Sequence, residues 1–149
     1  YLKASSAIPL LYRGTIRIGD DPVSDGGIAD PIPVIEAFRR GARRITVIRS
    51  RPGGYSKRKS RLGLFFGFYF RNFPGMADAL QRRHDVYMEA VHFISSPPEG
   101  VEIEEITPDP ALRVRRTSTG MEVLYRAYLA GIDQGRNYIH TKSSGVPVL

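Results

Sequence analysis

Hydrophobic and polar positions run in two rhythms along this chain. Thr15-Ile16-Arg17-Ile18 and Val101-Glu102-Ile103-Glu104 alternate with period two, so each predicts a strand. Ile45-Thr46-Val47-Ile48 is a β-branched run of the kind that fills a buried parallel strand. Gly19-Asp20-Asp21-Pro22 reads as a turn, and Val23-Ser24-Asp25 as a brief extended run that stops at Gly26-Gly27. The helical rhythm is clearest from Met76 to Ile94, where Met76, Leu80, Tyr87, Val91 and Ile94 share one face and Pro97-Pro98 ends the helix. A second helix is expected from Asp30-Pro31 to Gly41, with Arg39 and Arg40 in its last turn. A third starts at Thr119-Gly120-Met121-Glu122, which has capping-box spacing, continues through Leu124, Tyr128 and Ile132, and ends at Gly135. Leu2 to Leu11 predicts a short helix ending before Pro9, and Leu62 to Phe73 a helix with a strand as the alternative. Residues 141–149 read as a loose tail.

Helices and strands therefore alternate, and the fold class is α/β. The length of 149 residues suits one domain, and 42% hydrophobic residues can supply its core. There is no cysteine, which excludes disulfides, thiolate metal sites and cysteine nucleophiles and fits a reducing compartment. No apolar run reaches the about 20 residues a spanning helix needs.

The informative segments are Ala4-Ser5-Ser6-Ala7-Ile8-Pro9 and Asp25-Gly26-Gly27-Ile28-Ala29-Asp30-Pro31-Ile32-Pro33-Val34. Asp25-Gly26-Gly27 alone is a common turn. Together the two segments resemble the bacterial-type patatin-like phospholipases, in which a Ser-Ala-x-x-Pro stretch precedes an Asp-Gly-Gly or Asp-Gly-Ala motif. The resemblance implies a three-layer patatin-type sandwich, of which 1–149 would be the C-terminal portion of a single domain. It implies hydrolysis of lipid acyl esters by a Ser-Asp dyad: a serine attacks the ester, an aspartate takes its proton, and an acyl-enzyme is released by water. Asp25 matches the dyad aspartate, and Gly26 and Gly27 its turn. Without Cβ atoms, these glycines permit close approach of substrate and a positive φ. A free carboxylate is a weak base at neutral pH, so close contact with the serine must compensate. The dyad needs neither metal nor cofactor.

The departures from that pattern are specific. No Gly-x-Ser-x-Gly occurs in the chain; Gly53-Gly54-Tyr55-Ser56-Lys57 lacks the second glycine, and no Gly-Gly-Gly oxyanion segment is present. Ser5 and Ser6 are not elbow serines; the family pattern puts them on a helix near the cleft. The first residues read as the middle of a protein, and the nucleophile is expected in an N-terminal half, on the same polypeptide or a separate fragment. The chain alone is expected to be inert.

Charge adds partners. The net charge is +7. Arg39, Arg40, Arg43, Arg44, Arg49, Arg51, Lys57, Arg58, Lys59 and Arg61 crowd one stretch, and Glu99, Glu102, Glu104, Glu105 and Asp109 another. The basic run reads as a solvated face, as a contact for anionic lipid with Leu62 to Phe70 as its apolar edge, or as a nucleic-acid surface. The last is disfavoured because the aromatics form a block. These readings imply a cytoplasmic protein with peripheral membrane contact. The rival function is a non-enzymatic module binding anionic lipid or nucleic acid on a degenerate hydrolase fold. The acidic stretch could dock on the basic one, within the chain or between chains. His84 and His92 lie eight residues apart, off the spacing of three or four that helical metal ligands prefer, and His140 is unremarkable.

Overall fold

A computed structural model describes residues 1–9, 12, 14–54, 68–112, 114 and 118–144. The described residues form helices α1 (Leu2–Ser5), α2 (Val34–Arg39), α3 (Pro74–Ser95) and α4 (Met121–Ser143), and strands β1 (Ile16–Ile18), β2 (Asp21–Val23), β3 (Arg44–Ile48) and β4 (Glu102–Ile106). They fall into two compact units. One is built from Tyr1–Arg43 and the described part of Ser56–Gly100, the other from the described parts of Arg44–Tyr55 and Val101–Leu149.

In the first unit β1 and β2 make an antiparallel hairpin, Ile16 opposite Val23 and Ile18 opposite Asp21. The turn is only Gly19-Asp20, with Gly19 at φ +61°, so Asp21 and Pro22 belong to the strand and not to the expected longer turn. Helix α2 starts three residues later than the Asp30-Pro31 signal suggests, with Pro33 as its cap. Proline disfavours helical geometry in the residue before it, so Pro31 and Pro33 hold Asp30 and Ile32 out of the helix. The stop at Gly41 is as expected, with a positive φ there. Helix α3 begins on Pro74 and ends before Pro97, close to its sequence signals. It buries Tyr87 and Ala90, and its Phe93 ring lies 5.4 Å from Phe38 of α2. Ala4, Ala7, Ile28, Ile32 and Val34 complete the buried apolar set around the N-terminal segment.

In the second unit β3 and β4 pair in parallel, from Arg44 opposite Glu102 to Ile48 opposite Ile106. The parallel pairing matches expectation, but the burial does not. Only Val47 of β3 is buried, and Ile48 is 77% exposed. A two-stranded sheet leaves an edge on each strand, and full burial of a parallel strand needs covered faces on both sides. The described residues thus make a mixed α/β protein with two small sheets.

Helix α4 departs most from its sequence signals. It passes through Gly135 to Ser143, and it is capped by Gly120 without a side-chain bond, so Thr119 does not form the capping box. An interior glycine costs roughly 1 kcal/mol and does not by itself stop a helix. The last turns have anchors of their own. Tyr138 donates to Glu104 on β4 and lies 3.0 Å from the Thr46 hydroxyl on β3. Lys142 forms an ion pair with the same glutamate. Residues 141–143 are therefore helical instead of loose, while 145–149 lie outside the described residues.

Candidate catalytic aspartate

Asp25 follows β2 and caps a single 3-10 turn, Gly26–Ile28. Its Oδ1 accepts the Gly27 N–H at 2.8 Å. Its own N–H donates to the Ala7 carbonyl at 3.1 Å, and the Ser24 hydroxyl donates to that same oxygen at 2.8 Å. One backbone carbonyl thereby joins the two sequence segments that carry the family resemblance. Ala7 and Ala4 are both buried, and their small side chains let α1 and its exit lie against the turn.

The two glycines act differently from each other. Neither has a positive φ, so the conformational freedom expected of them is not used. A Cβ on Gly27 would come within 3.2 Å of Asp25 Oδ1, closer than ordinary contact, so a side chain here would push against the carboxylate. A Cβ on Gly26 would meet open space. The carboxylate is half-buried, and its second oxygen accepts no hydrogen bond from the described residues. One oxygen is therefore fixed by the backbone, and the other is available to an incoming proton donor.

A further residue braces this turn. Arg83 of α3 donates from Nε to the Gly27 carbonyl at 2.8 Å. Periodicity alone does not reveal it, because an arginine beside a helical apolar face usually marks only the edge of that face. Its neighbour His84 is half-buried, and its Nδ1 is sequestered from solvent without a hydrogen-bond partner among the described residues. His92 and His140 are exposed. Among the described residues no group of three histidine or carboxylate side chains is placed to hold a metal ion.

Ser5 and Ser6 both turn their hydroxyls back to the Leu2 carbonyl, at 2.9 and 3.3 Å, which fits a helix-end role and not that of a nucleophile. Ser56 lies outside the described residues, as do Tyr55, Lys57, Arg58, Lys59, Arg61 and Leu62 to Gly67. At the described end of the aromatic run Phe70 is buried, while Phe68 and Tyr69 are exposed.

Three of the six described arginines of the basic run pair with acids. Arg40 pairs with Glu36 at 2.8 Å, Arg44 with Glu102 at 3.2 Å, and Arg49 with Glu105. Arg43 lies over the Phe38 ring. The acidic stretch thus meets basic residues within the chain, across the β3–β4 pair.

No helix among the described residues is long and apolar enough to cross a membrane. No solved structure matches the chain. Residues 73–144 match the model of a domain of unknown function, DUF6363; Asp25 lies before the matched region. The chain is 32% identical over 147 residues to the uncharacterized protein YjjU of Escherichia coli (strain K12), an alignment covering 94% of this chain and 40% of that protein. The chain spans about two fifths of the length of the curated relative it matches.

Proposed function

We propose that these residues are the aspartate-bearing part of a patatin-like serine acyl hydrolase of the three-layer sandwich type, acting on lipid acyl esters. Asp25 is the base of a Ser-Asp dyad, and the serine is supplied by polypeptide outside these residues. The observation that carries the reading is the Asp25 carboxylate itself: Oδ1 is held by Gly27 N–H, and the other oxygen accepts nothing from the described residues. A general base needs a fixed direction and an available lone pair, and this turn provides both. The shared Ala7 carbonyl adds support, because it ties the Asp-Gly-Gly segment to the Ala-Ser-Ser-Ala-Ile-Pro segment.

In such an enzyme the Asp25 oxygen removes the serine proton as the serine attacks the ester carbonyl. The same carboxyl returns the proton to the departing alcohol, and the acyl-enzyme is then cleaved by water activated in the same way. Exposed Phe68 and Tyr69 beside exposed Arg71 suit peripheral contact with anionic lipid. The ion pairs of Arg40, Arg44 and Arg49 weigh against a nucleic-acid surface on the described part of the basic run.

Asp25→Asn is the appropriate test. It keeps the acceptor for Gly27 N–H and removes only the base. In a polypeptide that carries these residues together with a Gly-x-Ser-x-Gly segment, hydrolysis of a chromogenic acyl ester is expected to fall by about 10²–10⁴-fold. Unchanged turnover would overturn the proposal, as would steady turnover by the 149-residue chain alone.

A further inference from the structure

Helix α4 buries none of its residues, yet it is rich in large apolar side chains. Met121 is 80% exposed, Ile139 64% and Tyr128 62%; Tyr125, Leu124 and Leu129 are exposed as well. These residues are not scattered. Four of them, Met121, Tyr125, Tyr128 and Ile139, share a face with half-buried Ile132 and Gly135, the six following one another at spacings of four, three, four, three and four residues. That is the seam of a two-helix coiled coil. The contacts of α4 with its own sheet are made at its C-terminal end, through Tyr138 on the flank of the helix and Lys142, one heptad beyond Gly135.

We infer that α4 is a self-docking surface, on which a second copy of this chain packs its own α4 in antiparallel orientation. Two independent features of the sequence select a second copy over another occupant. The first is charge. Beside the seam runs the row Glu122, Arg126, Leu129, Asp133, Arg136, which reads minus, plus, apolar, minus, plus. Read backwards, every sign is reversed about Leu129. An antiparallel copy therefore brings Glu122 to the partner's Arg136 and Arg126 to the partner's Asp133, and each pair occurs twice. A parallel copy would instead set this row against the partner's opposite flank, Leu124, Gly131 and Tyr138, and leave its charges unmatched.

The second feature is size. In the same register Met121 meets the partner's Ile139, Tyr128 meets the partner's Ile132, and Tyr125 meets the partner's Gly135. The bulky ring thus falls opposite the residue without a side chain, which is how facing layers interdigitate. Gly135 inside a continuous helix, which lowers helix propensity, gains a reason. The existing Glu122–Arg126 pair is exposed on both sides, so re-pairing across the interface loses little.

The test uses the chain as it stands, since it has no cysteine of its own. Sedimentation equilibrium is expected to show a concentration-dependent dimer. Under mild oxidation Leu129→Cys, close to the two-fold axis, is expected to crosslink to itself. Met121→Cys alone is not, because its two copies would stand roughly 27 Å apart. Mixed with Ile139→Cys, it should crosslink. Glu122→Arg is expected to weaken the dimer by roughly tenfold, and Glu122→Arg with Arg136→Glu to restore it, with helix content unchanged throughout. A monomer at high micromolar concentration would overturn the inference, as would self-crosslinking at Met121→Cys as efficient as at Leu129→Cys. So would a double charge swap that weakens the dimer further than either single change.

Discussion

Helices α3 and α4 are 22 and 23 residues long, but they meet their surroundings in opposite ways. Helix α3 buries Tyr87 and Ala90, sets the Phe93 ring at a tilt against Phe38, and sends Arg83 to the carbonyl of Gly27. Helix α4 buries nothing and is held to its sheet by Tyr138 and Lys142. The difference follows from where each helix puts its apolar residues. Those of α3 are used within its own unit, where they brace the turn that carries Asp25. Most of the large ones of α4 are left on the surface, and its hydrogen bonds to the sheet come from Tyr138 and Lys142. A long amphipathic helix is therefore not by itself a sign of a core, and only its contacts distinguish a brace from an offered face.

The sharpest way to break this comparison is a pair of matched truncations. Tyr87→Ala removes a ring that is 7% exposed and is expected to destabilise the first unit by about 3 kcal/mol in urea unfolding. Tyr128→Ala, at dilution where the chain is monomeric, should stay within about 0.5 kcal/mol. Equal losses would mean that α4 is part of a core after all.

Arg83→Met tests the brace more gently. Losing the bond to Gly27 should lower stability by about 1–2 kcal/mol and speed amide exchange from Ile28 to Asp30. Exchange unchanged across that turn would mean that the Asp25 segment holds itself without α3.

The smallest effect belongs to the α4 attachment. The hydrogen bond from Lys142, and then that from Tyr138, holds the Glu104 carboxyl below its ordinary value of 4.5, while Glu104 raises Lys142 above 10.5. A lowered carboxylate contributes fully above its ordinary value, and that contribution is lost as pH falls through the folded value. For the raised lysine the contribution is complete below 10.5 and fades as pH rises through its folded value. Amides Ile139 to Ser143 should therefore lose protection, relative to the intrinsic exchange rate at each pH, once the pH drops well below 4.5. Glu104→Gln should show that loss of protection already at neutral pH and abolish its acid dependence. Full protection retained in the variant would place the anchor elsewhere.

Much of this was legible in the residues. The two segments singled out in the sequence, Ala4 to Pro9 and Asp25 to Val34, do meet, at the Ala7 carbonyl, and the apolar face from Met76 to Ile94 with Pro97-Pro98 beyond it located α3. What was not legible depended on contacts distant in sequence. Nothing local states that the Ala7 carbonyl receives both Ser24 and Asp25, or that Arg83 and not Arg82 reaches Gly27. The pairing of Arg44 with Glu102 follows from the parallel register of β3 and β4, which no short window encodes. Gly135 misled because a glycine near the end of a periodic stretch resembles a stop, whereas Tyr138 and Lys142 lie beyond it and fasten the helix to Glu104. Pro31 and Pro33 shifted the start of α2 because each restrains the residue before it as well as itself.

The central claim is that Asp25 serves as base to a serine outside these residues. Reaction with a fluorophosphonate probe tests it most directly, followed by peptide mapping of a polypeptide that contains this chain and a Gly-x-Ser-x-Gly segment. The account predicts labelling at one serine in that segment, slowed strongly by Asp25→Asn, with the 149-residue chain by itself unlabelled. Labelling as fast in Asp25→Asn as in the unaltered protein, or no labelled serine at all, would contradict it.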